Sequence, residues 1–189
     1  MKRLLSIILL TLISMTLHAQ EHMAFKNIPM DCKLESYISK LEAQGYTLRA
    51  IRDNGAILSG SFAGKDDCTI IVLCTSSSKM VWKVGVLLPE KNSWSSLKSE
   101  YKTFKESYTI KYGEPQSFEY FSDPYYDGDG YELQAVRLGK CTYASFYHTE
   151  LGSISLTIDD DECISIMYED GINANIWEEE KNQVVSNDI

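Results

Sequence analysis

Large apolar side chains return at Trp94, Leu97, Tyr101, Phe104 and Tyr108, in steps of 3, 4, 3 and 4. That spacing stacks all five on one face and predicts an amphipathic helix. Ser93 or Asn92 can cap its N-terminus, Gly113 can take the left-handed turn that ends it, and Pro115 blocks continuation. An earlier stretch behaves alike: Leu34, Tyr37, Ile38 and Leu41 form an apolar face, with Asp31 available as cap and Gly45 as stop.

Strand-like patterns follow each helix. Thr47–Arg52 leads through Asp53-Asn54-Gly55, a hairpin signal, into Ala56–Ala63. Cys68–Cys74 carries Cys68, Ile70 and Val72 on one side and Ile71 and Leu73 on the other, as a central strand would. Val81–Leu88 alternates, with Trp82, Val84, Val86 and Leu88 predicted inward. After the second helix come Phe118–Phe121, an irregular loop SDPYYDGDG, then Tyr131–Leu138, Cys141–His148, Ser153–Ile158 and Cys163–Tyr168, all read as strands. Residues from Ile172 to about Lys181 predict a short helix packed back through Ile176 and Trp177, and VVSNDI reads as a frayed tail.

The order helix-then-strands thus occurs twice. In letters, FAGKDDCTIIVLCT (62–75) lies over RLGKCTYASFYHT (137–149), sharing a Gly-Lys pair, a Cys-Thr pair and a closing Thr. The predicted fold is α+β: two tandem helix-plus-antiparallel-meander units forming one sheet with both helices on one face. Repeat one spans about 31–90 and repeat two about 92–170, followed by a short helix and tail, 171–189. No Pro-, Gly- or Ser-rich linker separates them, so 20–189 reads as a single domain.

The N-terminus adds a location. Lys2 and Arg3 precede an apolar run from Leu4 to Leu17 and the small residue Ala19, the pattern of a signal peptide over residues 1–19. The run is shorter than the ~20 residues a membrane span requires. The expectation is an exported protein, periplasmic or secreted, with no transmembrane segment after cleavage following Ala19. The formal charge of −9 disfavours nucleic acid and anionic lipid as partners. Five cysteines, Cys32, Cys68, Cys74, Cys141 and Cys163, are an odd set in a compartment that permits disulfides, and spacing assigns no pair. Cys68 and Cys74 on one extended strand would stand ~20 Å apart, too far to join.

The tandem helix-then-four-strands order resembles the β-lactamase-inhibitor-protein-like (BLIP-like) architecture. The phrases SWSSLKSEY, KYGEP, KCTYASF and CISIMYED resemble those of uncharacterised small secreted proteins of Bacteroides-type Gram-negative bacteria. The first resemblance is architectural only and carries over no functional residue. The second covers most of the chain beyond the leader and implies no assigned activity.

Catalytic signatures fail on inspection. Gly60 and Gly64 have the spacing of a nucleophile elbow, but Phe62 stands where the serine belongs. GSFAGKD has three residues between its glycines instead of four, and Asp66 where a phosphate loop needs Ser or Thr. Beyond the leader only His22 and His148 remain, and His148 reads as a strand-end residue at the sheet surface. No Cys or His pair has zinc spacing. Asp127, Asp129 and Gly130 imitate positions 3, 5 and 6 of a calcium loop, but Tyr125 and Val136 would occupy positions 1 and 12, so the loop reads as a solvated turn. Asp159–Glu162 reads as a charged hairpin tip. No catalytic, metal or cofactor site is assigned.

Aromatic density is the remaining signal: FEYFSDPYYDGDGY holds six aromatic residues. Phe118, Phe121 and Tyr131 are expected in strands and core, leaving Tyr125 and Tyr126, with Asp127 and Asp129 beside them, as the candidate contact residues. The expected function is a non-catalytic binding or interaction protein whose partner is an unknown protein or small ligand of the cell envelope. The alternatives are an enzyme with a site assembled around His148, or a protein inhibitor of a hydrolase.

Overall fold

A computed structural model describes residues 21–188. The signal peptide read in residues 1–19 lies outside them. The described chain is α+β, with four helices, a two-stranded ribbon and an eight-stranded antiparallel sheet. The ribbon is β1 (Ala24–Phe25) and β2 (Ile28–Pro29). Helix α1 (Leu34–Ala43) precedes β3 (Thr47–Arg52), β4 (Gly55–Phe62), β5 (Lys65–Cys74) and β6 (Val81–Leu87). Helix α2 (Trp94–Tyr112) precedes β7 (Gln116–Phe121), the short helix α3 (Glu132–Arg137), β8 (Cys141–Thr149), β9 (Gly152–Ile158) and β10 (Ile164–Asp170). Helix α4 (Gly171–Asp188) follows at once.

The sheet order is β3-β4-β5-β6-β10-β9-β8-β7. Helices α1 and α2 each precede four strands that pair in chain order, with α3 interposed between β7 and β8, and the two sets meet where β6 runs antiparallel to β10. That seam is apolar on the helix side: Val86 stands opposite Ile166 and Val84 opposite Tyr168, all buried. Burying each such side chain contributes ~1.5–3 kcal/mol. The buried faces of α1 and α2 share one core cluster with the inner residues of both strand sets, so both helices cover the same sheet face.

Helix α2 follows its periodicity. Leu97, Tyr101, Phe104 and Tyr108 are buried, and Trp94 is half-buried against Phe121 and Tyr143. Ser93 Oγ accepts a hydrogen bond from Ser96 N–H at 3.3 Å, and Gly113 ends the helix at φ 87°. In α1 the expected cap is not used. Asp31 instead accepts from Lys40 Nζ at 3.1 Å, and the first turn is satisfied from the β5–β6 turn, where Lys79 O accepts from Leu34 N–H.

Four expectations need correction. Tyr131–Leu138 is not a strand: residues 132–137 form α3, with Ala135 and Val136 buried. Short apolar runs do not separate period 2 from period 3.6, and Glu, Leu, Gln, Ala and Arg here are good helix formers. Trp82 does not join the inner row of β6. The ladder to β5 shifts register between Leu73 and Cys74, Val81 enters the core, and Trp82 stacks on Trp177 of α4 at 4.5 Å and 15°. The C-terminal helix is longer than expected, running to Asp188 instead of fraying after Lys181. The letter match also joins unlike strands, because Cys68–Thr75 lies in and after the third strand of the first set whereas Cys141–Thr149 is the second strand of the second.

The lead-in is more than an extended segment. Met23, Phe25, Ile28 and Met30 are buried, and Phe25 sits within 6.2 Å, ring to ring, of Tyr46, Phe62 and Tyr168. The ribbon thus carries a plug that touches strands from both sets. Asp170, fully buried, accepts from Met23 N–H at 2.7 Å and Asn173 N–H at 2.8 Å and holds His22 at 3.1 Å, so the start of the described chain is tied to the β10–α4 junction.

Candidate functional site

The loop after β7 is held by its own carboxylates. Asp129 accepts from Tyr126 N–H at 3.1 Å and from Tyr131 N–H at 2.7 Å, and Glu132 accepts from Gly128 N–H at 2.8 Å. Asp127 reaches α2, where it accepts from Trp94 Nε1 at 2.7 Å and pairs with Lys98 Nζ. The Lys98 bond, then the indole bond, hold the Asp127 carboxyl below the usual carboxylate range. The same bond holds the Lys98 ammonium above its ordinary value. Asp127 and Asp129 therefore fasten the loop, the first to α2 and the second to the loop's own backbone.

Of the two tyrosines, Tyr125 is half-buried and its hydroxyl accepts from Gln134 Nε2 at 3.1 Å. Tyr126 is 65% exposed. The structure thus brings Tyr125, Asp127 and Asp129 into the loop's own scaffold and leaves Tyr126 outward.

The division between core and surface aromatics differs from expectation. Phe121 packs inward on Trp94 and Tyr143, but Phe118 is 42% exposed and Tyr131 62% exposed. Strand alternation explains Phe118. Ser117 bonds Ser145, Glu119 accepts from Lys105 of α2 at 2.6 Å, and Phe121 meets Trp94, so these three face the helices. Phe118 and Tyr120 consequently face away, with Phe146 of β8 at 6.2 Å from the Phe118 ring. Tyr120 is 53% exposed. Phe118, Tyr120 and Phe146 form an aromatic strip on the open side of the last strand pair. Reading period 2 through FEYF would have separated these sides.

On the helix side, a groove of ≈ 600 Å³ runs between α2 and β7, lined by Lys102, Lys105, Glu106, Thr109, Ile110 and Glu119. Ile110 is 88% exposed. A second cleft of ≈ 490 Å³ lies farther along α2 around Glu100. That carboxylate, an acidic residue within the buried set of α2, is held by Lys65 at 2.8 Å and Lys91 at 3.3 Å. Hydrophobic spacing alone does not register it.

Groups that could do chemistry are dispersed. His148 is exposed on β8 opposite Ser153, and among the described residues no side-chain hydrogen bond reaches its ring. All five cysteines are free. Burial pushes the Cys141 and Cys163 thiols up to about 12 and raises Cys32, Cys68 and Cys74, which keeps them protonated at neutral pH and poor as nucleophiles. Asp159, Asp160 and Asp161 bring carboxylate oxygens within 4.8 Å of one another at the β9–β10 turn. Burial first, and then the Asp160 carboxyl, raise the Asp159 pKa.

Among the described residues no helix is long and apolar enough to cross a membrane. Comparison with family models, with curated proteins and with solved structures finds no match.

Proposed function

We propose that this is an exported, non-catalytic binding protein that takes its partner on the aromatic surface at the β7 end of the sheet. The observation that carries the reading is the strip of Phe118, Tyr120 and Phe146, continued along the chain by a loop that presents Tyr126. Exposed aromatic side chains are costly to leave in water and offer large contact area with little rotamer entropy to lose. Most other tyrosines are spent on the fold. Tyr37, Tyr46, Tyr101, Tyr108, Tyr147 and Tyr168 are buried, each with its hydroxyl hydrogen-bonded. The loop is also braced by the Asp127 and Asp129 bonds, which lowers the entropic cost of presenting Tyr126.

The test is capture from the host envelope fraction with immobilised protein, followed by identification and binding of the purified partner. Two variants, Phe118→Ser with Tyr120→Ser and Tyr125→Ser with Tyr126→Ser, are compared by circular dichroism and by affinity. Loss of at least tenfold in affinity with the fold retained is expected for the first pair. Undiminished binding by both variants overturns the reading. A captured hydrolase whose rate falls on binding would assign the inhibitor alternative. Export itself is checked on the purified protein, whose N-terminal residue is expected to be Gln20.

A further inference from the structure

We propose that two copies of this chain pair edge to edge through β7, antiparallel about a two-fold axis normal to the sheet at Phe118, joining two eight-stranded sheets into one. The two ends of the sheet are built differently. On β3 the ladder to β4 is broken by a bulge between Leu48 and Ala50, and the strand carries Arg49 and Arg52. Bulges and basic side chains are the ordinary means by which an edge is kept from pairing. On β7 all six residues pair with β8 in unbroken register, and the strand QSFEYF contains no Lys, Arg or Pro; its one charged residue, Glu119, faces α2 and is paired with Lys105. Among the described residues its outer edge has no strand partner. One end is blunted and the other is left competent.

The β7 edge also matches itself. With the axis at Phe118, that ring meets its own copy, Gln116 stands opposite Tyr120, and Ser117 stands opposite Glu119. Aromatic cross-strand pairs stabilise, and this register keeps Glu119 from facing its own copy, where like charges would oppose pairing. A two-fold contact sets the same patch against itself. Here the patch carries both signs, because Lys102, Lys105 and Glu106 lie along the α2 flank and Lys105 already neutralises Glu119. The two aromatic strips then lie side by side on the open face. The inference deepens the binding reading, and it rests on that reading only for the use of this doubled strip.

Pairing of six-residue strands gives an interface at the small end of those known, so the dimer should dissociate in the micromolar range. Sedimentation of the purified protein from about 1 µM to about 500 µM brackets that range. The expected result is a rise to twice the single-chain mass for the natural protein and for Ile51→Lys, which alters the β3 edge. Phe118→Lys, at a position already partly in water, should weaken association at least tenfold with an unchanged circular dichroism spectrum. A single-chain mass throughout overturns the dimer, as does association that Phe118→Lys leaves untouched or that Ile51→Lys weakens equally. Partner capture read beside the sedimentation result separates the two ideas: a chain that captures its partner yet keeps the single-chain mass up to about 500 µM sinks only the dimer, and a chain that dimerises yet captures nothing sinks only the binding reading.

Discussion

Asp127, in the loop after β7, accepts a hydrogen bond from the indole nitrogen of Trp94, in the first turn of α2, at 2.7 Å. With Lys98 on its other oxygen, this carboxylate ties a surface loop to the helix that covers the second set of strands. The loop that presents Tyr126 is therefore positioned by a core-facing tryptophan whose polar edge still needs a partner.

Asp127→Ala should loosen the loop more than it destabilises the fold. The carboxylate is half exposed, so solvent screening limits the loss to under ~1 kcal/mol. Hydrogen exchange of residues 123–130 should rise, while the urea midpoint moves little. The pH dependence has a defined sign. Because the folded pKa lies below the unfolded value of about 3.9, the contribution is complete above that value and disappears as pH falls through the folded pKa. At the lowest pH the difference between the natural protein and the variant should be at its smallest.

Phe25→Ala should cost about 3–5 kcal/mol, the range for a buried phenylalanine whose cavity cannot collapse. The ring is fully buried among Tyr46, just before β3, Phe62 of β4 and Tyr168 of β10, the last two from different halves of the sheet. Urea unfolding measures the loss. A cost below about 1 kcal/mol would mean that the ribbon merely rests on the sheet.

Asp159→Asn should stabilise the protein near neutral pH by roughly 0.2–1 kcal/mol. Its folded pKa is raised, so the charged form is disfavoured in the native state. The penalty is absent below the unfolded pKa of about 3.9 and complete once pH exceeds the folded value. The gain should therefore vanish in acid, and Asn can keep the acceptor that Asp161 N–H uses at 3.4 Å. Paired urea titrations at neutral and acid pH would show this, and equal stability at both would count against the assignment.

Cys141 and Cys163 should resist thiol reagents in the folded protein. With both thiols near 12, their thiolate fraction at pH 8 is on the order of a thousandfold below that of an ordinary cysteine near 8.5. Mass-resolved alkylation with and without denaturant would separate them, and rapid labelling in the native state would contradict the burial assigned to them.

Periodic burial made much of the fold legible. The α2 face of Leu97, Tyr101, Phe104 and Tyr108 and the β9 row of Ile154, Leu156 and Ile158 both follow from spacing, because each segment lies against a single broad apolar layer. Where two periods fit equally, at residues 132–137, the helix was not legible. Where a register shift interrupts alternation, at Trp82, facing was lost as well. In the candidate site, the sequence located the aromatic-rich stretch but not its division. Tyr125, Asp127 and Asp129 brace the loop, while Phe118 and Tyr120 take the exposed side of β7.

By itself the sequence determined α1, α2 and most of the large-sheet strands in their order, though not α3 or the β1–β2 ribbon, together with the acidic charge and the expectation of export, because these depend on local spacing and composition. Only the tertiary structure decided that β6 meets β10, that Phe25 is a plug touching both strand sets, and that among the described residues one sheet edge is bulged and the other runs in unbroken register. Those features arise from contacts between residues far apart in the chain. No local pattern encodes which apolar face a strand will find, or which backbone edge is left without a neighbour.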